Sequence, residues 1–281
     1  NLQRGIAYGN SVTNTLGVAG GDLAVTAGKD PASVVNVNVA NNLPFDNTLA
    51  TQPAVNASYG ILSSQSVQST VGATAVGVNA FAVTVAGANG VDAGSVANDR
   101  NVFVAAAYGN DGANALKLGA NNIDAGGGYA AVANVTNLQS VAGASTKIEA
   151  SAVGGNAVRT IVSGGLSDAS VSSSGNLTEA LAYGSRATGN TVQVSATGID
   201  TAGPVIPGAT VAGGAMTTEA SFSVQNGQSG QGSVLATRSG GPEVLVQVAQ
   251  VAGSVGGSKI DADNNATVAA ATSNSAANGV S

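Results

Sequence analysis

Thr178-Glu179-Ala180-Leu181-Ala182-Tyr183-Gly184-Ser185-Arg186-Ala187-Thr188-Gly189-Asn190-Thr191-Val192-Gln193-Val194 is the stretch on which the reading of this chain turns. It holds a short alternating run, a glycine break, a polar segment and a second alternating run. Apolar residues at every second position mark a strand with one face buried. Glycine and polar residues between two such runs mark a change of direction. The stretch therefore reads as one coil: strand, glycine corner, polar turn, strand.

Pieces of this unit recur. Tyr8, Tyr59, Tyr108 and Tyr183 are each followed by glycine. Ala7-Tyr8-Gly9-Asn10 continues to Asn14, Leu16 and Val18, and Ala107-Tyr108-Gly109-Asn110 continues at the same spacing to Asn114, Leu116 and Leu118. A second element, a polar residue then alanine, occurs at Asn79-Ala80, Glu149-Ala150, Glu179-Ala180 and Glu219-Ala220. Taken together these predict degenerate repeats of roughly 20 to 25 residues, within the range of known repeat periods. The expected architecture is all-β: a parallel β-solenoid, β-helix-like, forming a single repetitive β domain over 1–281. Loop insertions are expected near 41–53 and 200–215, where Pro44, Pro53, Pro204 and Pro207 interrupt the pattern. About a dozen coils at about 4.8 Å each would give a body roughly 55 to 60 Å long.

Strand-like runs are expected at 34–40, 55–62, 76–86, 101–107, 130–135, 147–153, 158–162, 176–182, 191–196, 219–224, 233–237, 243–251 and 265–271. Asn89-Gly90, Asn226-Gly227 and Asn278-Gly279 read as tight turns, as do Gly126-Gly127-Gly128 and Gly164-Gly165. No sustained period of 3.6 with caps predicts a helix.

Composition supports the same class. Only 9% of residues are charged, against roughly 25% in an average domain. Aromatics make up 3%, with 40 Gly and no Trp, while 43% are apolar, mainly Ala and Val. A core of such small side chains suits closely spaced backbone layers. Low charge with moderate hydropathy is also the opposite of the signature of disorder. In such a stack, Asn can form ladders from coil to coil.

The same inventory narrows function. With no His and no Cys, the chain lacks Ser-His-Asp triads, cysteine nucleophiles and the usual zinc ligands. Net charge is −6 and the nine Lys and Arg are scattered, so phosphate neutralisation and nucleic-acid binding are not expected. No run of about 18 apolar residues predicts a transmembrane segment. Catalytic, cofactor-binding and metal residues are expected to be none, and the chain is read as non-enzymatic. Asp261 and Asp263 resemble half of a calcium loop without its Gly and Glu, the one weak pointer to a cofactor. Glu149, Glu179 and Glu219 are candidates to line one face of the stack. Arg159, Arg186 and Arg238 are candidates for sugar or acidic contacts, with solitary surface positions as the simpler reading. Absence of Cys fits proteins that cross an oxidising compartment, so an extracellular location is expected.

Ala182-Tyr183-Gly184-Ser185-Arg186-Ala187-Thr188-Gly189-Asn190 resembles the head repeats of trimeric autotransporter adhesins. Ser223-Val224-Gln225-Asn226-Gly227 and Gly230-Gln231-Gly232 resemble curlin repeats. The Gly/Ala/Asn/Val texture is most similar to repeat-rich surface proteins of stalked alphaproteobacteria, with holdfast-anchoring proteins the nearest case. That resemblance implies an adhesive or anchoring fibre component on the bacterial outer surface, a homo-polymer or a stack with related subunits, with polysaccharide a possible partner. Uncapped repeat ends would support self-association. The alternative reading is a β-helical carbohydrate-binding or carbohydrate-active protein of the tail-spike kind.

Overall fold

The computed structural model describes residues 1–24, 35–40, 59–87, 89–124, 132–155, 157–200, 222–240, 244–249 and 255–281. The expected loops near 41–53 and 200–215 fall almost wholly outside these, as do Glu219 and Gly126-Gly127-Gly128. Among the described residues there is no helix, and all regular structure is β.

The chain opens with β1 (Leu2–Ala19), β2 (Asp22–Ala24) and β3 (Val35–Ala40). A round of six strands follows: β4 (Tyr59–Val67), β5 (Val71–Val76), β6 (Phe81–Val85), β7 (Val91–Asp92), β8 (Ser95–Ala97) and the long β9 (Val102–Asp124). The second round runs β10 (Ala133–Val141), β11 (Lys147–Val153), β12 (Val158–Ser163), β13 (Leu166–Ser167), β14 (Ser170–Ser172) and β15 (Leu177–Asp200). The third repeats the order with β16 (Phe222–Gly230), β17 (Ser233–Ser239), β18 (Val244–Ala249), β19 (Val255–Gly256), β20 (Lys259–Asp261) and β21 (Ala266–Val280).

Each strand pairs with its equivalent in the next round, in parallel. Six sheets result, one of them ordered β1-β9-β15-β21. Stacked residues lie far apart in the chain: 100 residues from Asn1 to Asn101, 75 from Asn101 to Asn176, and 89 from Asn176 to Asn265. The expectation of 20 to 25 residues per layer is therefore corrected: one round here holds six strands. The outermost strands of β1-β9-β15-β21 are about 14 Å apart at ordinary strand spacing, not the expected 55 to 60 Å.

The 178–194 stretch is corrected as well. It lies inside β15, a single strand of 24 residues, and Gly184 turns no corner. Instead, the strand changes phase there. Before the glycine, the odd residues Phe103, Ala105 and Ala107 of β9 are packed inward; after it, Leu116 and Leu118 are. Gly9, Gly109 and Gly184 occupy the switch in the first three rounds, with Ser273 in the last. A Cβ on Gly109 would lie 2.5 Å from the Gly184 carbonyl oxygen, and one on Gly184 would lie 2.5 Å from that of Ser273.

The phase switch divides the interior into zones. Phe103, Ala105, Ala107, Ala180 and Ala182 pack against Val71, Ala73, Ala75, Ile148, Ala150 and Ala152. Small inward side chains allow these two walls to approach closely. Leu116, Leu118, Ile123 and Val192 pack against Ile61, Val132 and Val135. A third cluster, with Val96, Val162, Leu166, Ala169 and Val171, fills the lobe made by the short strands. Corners of that lobe repeat in left-handed backbone: Ala93, Asp168 and Gly257 at one, Arg100, Gly175 and Asn264 at another.

Two expected turns are corrected. Asn226-Gly227 lies inside β16 and Asn278-Gly279 inside β21. Asn89-Gly90 is a turn, with Gly90 at φ 67°, and Gly164 sits at φ 95° between β12 and β13.

Candidate functional site

Between the two apolar zones the interior is amide. Asn14 Nδ2 donates to Asn114 Oδ1 at 2.7 Å, Asn114 Nδ2 to Asn190 Oδ1 at 2.8 Å, and Asn190 Nδ2 to Asn278 Oδ1 at 3.1 Å. A second column runs from Asn1 through Asn101 and Asn176 to Asn265, each Nδ2 donating to the next Oδ1 at 2.8–2.9 Å. Within both columns each Asn–Asn bond runs toward the following round, while Asn265 Nδ2, in the last round, donates back to Ser173 O at 3.0 Å. A glutamine column lies across from the first of these, on the opposite sheet: Gln139 donates to Gln65 and Gln228 to Gln139. The same glutamines also satisfy the main chain across the gap, Gln65 to Asp111 O, Gln139 to Arg186 O and Gln228 to Ser275 O. Buried amides are costly unless paired, and a slip of one residue would break every column at once. These columns therefore fix register.

On the other face of the long sheet, Tyr8, Tyr108 and Tyr183 stack, with ring centroids 4.9 and 5.4 Å apart. Arg186 lies over Tyr108, its Cζ 4.1 Å from the ring centroid, and forms a bidentate pair with Asp111. That pair and Arg186's burial correct the reading of Arg186 as a solitary surface residue. Its guanidinium is held even more firmly protonated than usual, chiefly by the hydrogen bonds to Asp111. Burial pushes the Tyr108 phenol up, against the opposing pull of Arg186. Tyr59, although followed by glycine like the others, sits in β4 and is no part of this column.

The remaining candidates separate. Glu149 is in β11, beside Gly72 and Leu235, whereas Glu179 is in β15, beside Val104 and Val268. They form no common face, which corrects the expected stripe. Arg159 lies in β12 between Ala82 and Leu245, and Arg238 in β17 beside Ala152. Asp261 pairs with Lys259 Nζ at 2.7 Å, which raises the pKa of the exposed lysine, and the Asp263 main-chain N–H donates to Ser174 Oγ. Among the described residues no group of three or more potential metal-ligating side chains converges. A hollow of about 130 Å³ lined by Ser140, Ala142, Ser229, Gly230 and Gln231 is well below the usual ~300–1,000 Å³ of ligand pockets. No described helix is long and apolar enough to cross a membrane.

The two ends of the stack differ from its middle. Among the described residues, sheets end at β1, β3, β5, β6, β7 and β8 on one side and at β16 to β21 on the other. Core columns become uncovered there. Val192 is 0% exposed but Val280, next in its column, is 53%; Val171 is 1% exposed and Ile260 45%. In the tyrosine column, Tyr108 is 8% exposed and Tyr8 48%. Sequence reasoning found the tyrosines and the matching Asn positions but missed the Arg186–Asp111 pair, whose partners lie 75 residues apart.

No protein-family model matches the chain, and no curated protein or solved structure matches it.

Proposed function

We propose that this chain is a structural, self-associating component of an extracellular fibre or anchoring complex, built as a β-solenoid with unusually long coils. The observation that carries this reading is the in-register parallel stack itself, whose asparagine, glutamine and tyrosine columns join one round to the next. Regular, weakly charged parallel strands of this kind favour the addition of further strands. Chemistry fits a building role: the best-developed polar groups, the amide columns and Arg186–Asp111, pair with one another. Sparse charge, absence of Cys and the texture shared with bacterial surface repeat proteins favour a location on the bacterial outer surface and a homo-polymer or related subunits as partners. Electron microscopy of the purified chain at rising concentration tests this. The expected result is fibres or stacked rods; a monodisperse monomer at high concentration by light scattering would overturn it.

A further inference from the structure

Tyr8, Tyr108 and Tyr183 are one residue type at one position of three successive rounds. Strand spacing alone brings like atoms of neighbouring rings to about 4.8 Å, so each carbon ortho to a phenol oxygen lies opposite its own counterpart. The rings agree with this, only 14° and 9° from parallel at centroid separations of 4.9 and 5.4 Å. The column stands on the outer face of the long sheet, open to reagents. Tyr183 is partly exposed although β21 covers its strand, because the next residue in its column is the smaller Thr272. Tyr8 is half-exposed, and Tyr108, held between the other two rings, is the hub. Tyr59, by contrast, lies between Val35 and Ala133 in its sheet, with no ring beside it in register. Composition directs oxidation to the same rings. The chain has no Cys, no Trp and a single Met, so tyrosine is the side chain most open to one-electron oxidation. Without Cys, no disulfide ties one round to the next.

We propose that the Tyr8-Tyr108-Tyr183 column is an oxidative cross-linking site, at which a one-electron oxidant of the peroxidase class, with hydrogen peroxide as electron acceptor, joins rings of successive rounds as dityrosine. Each of two phenols gives one electron and its O–H proton to the oxidant. The two radicals join through ring carbons ortho to oxygen, and the hydrogen on each joined carbon passes to the phenol oxygen as a proton, which restores both rings. In sum two C–H bonds break and one C–C bond forms, while two electrons and two protons reduce hydrogen peroxide to two waters. The bond ties positions 100 residues apart at Tyr8–Tyr108 and 75 apart at Tyr108–Tyr183. A bridge that closes so long a loop restricts the unfolded chain strongly, so the linked protein should resist denaturant better than its parent. Both rings of each bond belong to one chain, so the inference stands apart from self-association.

The test treats the dilute full chain with a haem peroxidase and limiting hydrogen peroxide. The five tyrosines fall on five different tryptic peptides, so mass spectrometry reads each bond as a distinct linked pair, alongside dityrosine fluorescence. Because the stacked rings are already in contact, Tyr8–Tyr108 and Tyr108–Tyr183 links should exceed any link to Tyr59 at least about tenfold, within single chains on denaturing gels. Tyr108→Phe keeps a ring in the column but removes the phenol that both bonds need, so fluorescence should fall about tenfold. Tyr59→Phe should leave it unchanged. Far-UV circular dichroism checks that Tyr108→Phe keeps its strands, and the peptide map of the parent chain decides the matter if it does not. Links scattered evenly over all tyrosines, links mainly between separate chains, or peroxide consumed without dityrosine would overturn the inference.

Discussion

Arg186 closes a bidentate pair on Asp111 of the preceding round, Nε to Oδ1 at 2.8 Å and Nη2 to Oδ2 at 3.0 Å, while lying flat over Tyr108. Both side chains are largely sheltered, so solvent screens them less than an exposed pair. Arg186→Ala leaves Asp111 without its partner and uncovers the Tyr108 ring. We expect a loss of about 1.5–3 kcal/mol in urea unfolding. Arg186→Lys should recover less than half of it, because an ammonium cannot reproduce the planar fork.

Asn114 is fully buried, accepts from Asn14 and donates to both Asn137 and Asn190. Asn114→Ala orphans polar groups on three other strands and should cost about 2 kcal/mol or more in chemical denaturation. Asn114→Asp keeps the shape but removes the donor and introduces a charge. Its deficit should be largest at neutral pH and shrink as the pH falls through the carboxylate's range, since the neutral acid regains a donor. A pH-independent deficit would argue against a dry amide column.

Gly109 and Gly119 lie in the same strand with opposite surroundings. A Cβ at Gly109 would meet the Gly184 carbonyl oxygen at 2.5 Å and Ile148 Cδ1 at 2.9 Å, whereas at Gly119 the nearest atom is Val18 O at 3.9 Å. Gly109→Ala should destabilise by roughly 1–3 kcal/mol or more. Gly119→Ala should lie within about 0.5 kcal/mol of the parent in the same thermal-unfolding comparison.

Burial, the largest influence, raises the Tyr108 phenol above its ordinary 10.0, with Arg186 only partly opposing it. The folded state thus favours the protonated form. This contribution to stability is complete below about pH 10 and is lost as the pH rises through the folded value. Thermal melts across the alkaline range should show a decline that Tyr108→Phe makes shallower. Equal slopes in the two proteins would show that Tyr108 is not shielded.

How far the fold was legible follows from what each feature needs. Lys147–Val153 was bounded correctly because a corner flanks each end and alternation is clean between them. The match around Tyr8 and Tyr108 was the true register, as Asn10 pairs with Asn110 and Asn14 with Asn114. As a period it is masked in the sequence by Tyr59, which bears the same Tyr-Gly pair but lies in another sheet. Corners hid the rest. One corner is Ala93, Asp168 and Gly257 in successive rounds, another Arg100, Gly175 and Asn264, and their shared left-handed backbone leaves no shared residue type. Asn226-Gly227 and Asn278-Gly279 carry the residues of a turn, yet both asparagines are held in extended strands by the Asn137 and Asn190 amides. The Arg186–Asp111 pair had no local signal, since its geometry exists only once two distant rounds are stacked.

The central claim is that rounds of 75 to 100 residues stack in register, and the tyrosine column tests it most directly. The chain has five tyrosines, so selective ring labelling with NMR detection of ring-to-ring contacts, assigned by single Tyr→Phe variants, reads the stacking order. The account predicts contacts from Tyr8 to Tyr108 and from Tyr108 to Tyr183, at centroid separations of 4.9 and 5.4 Å, with Tyr59 in contact with none of the three. A ring contact between Tyr59 and Tyr108, as short coils would produce, or no contact between Tyr8 and Tyr108, would contradict it.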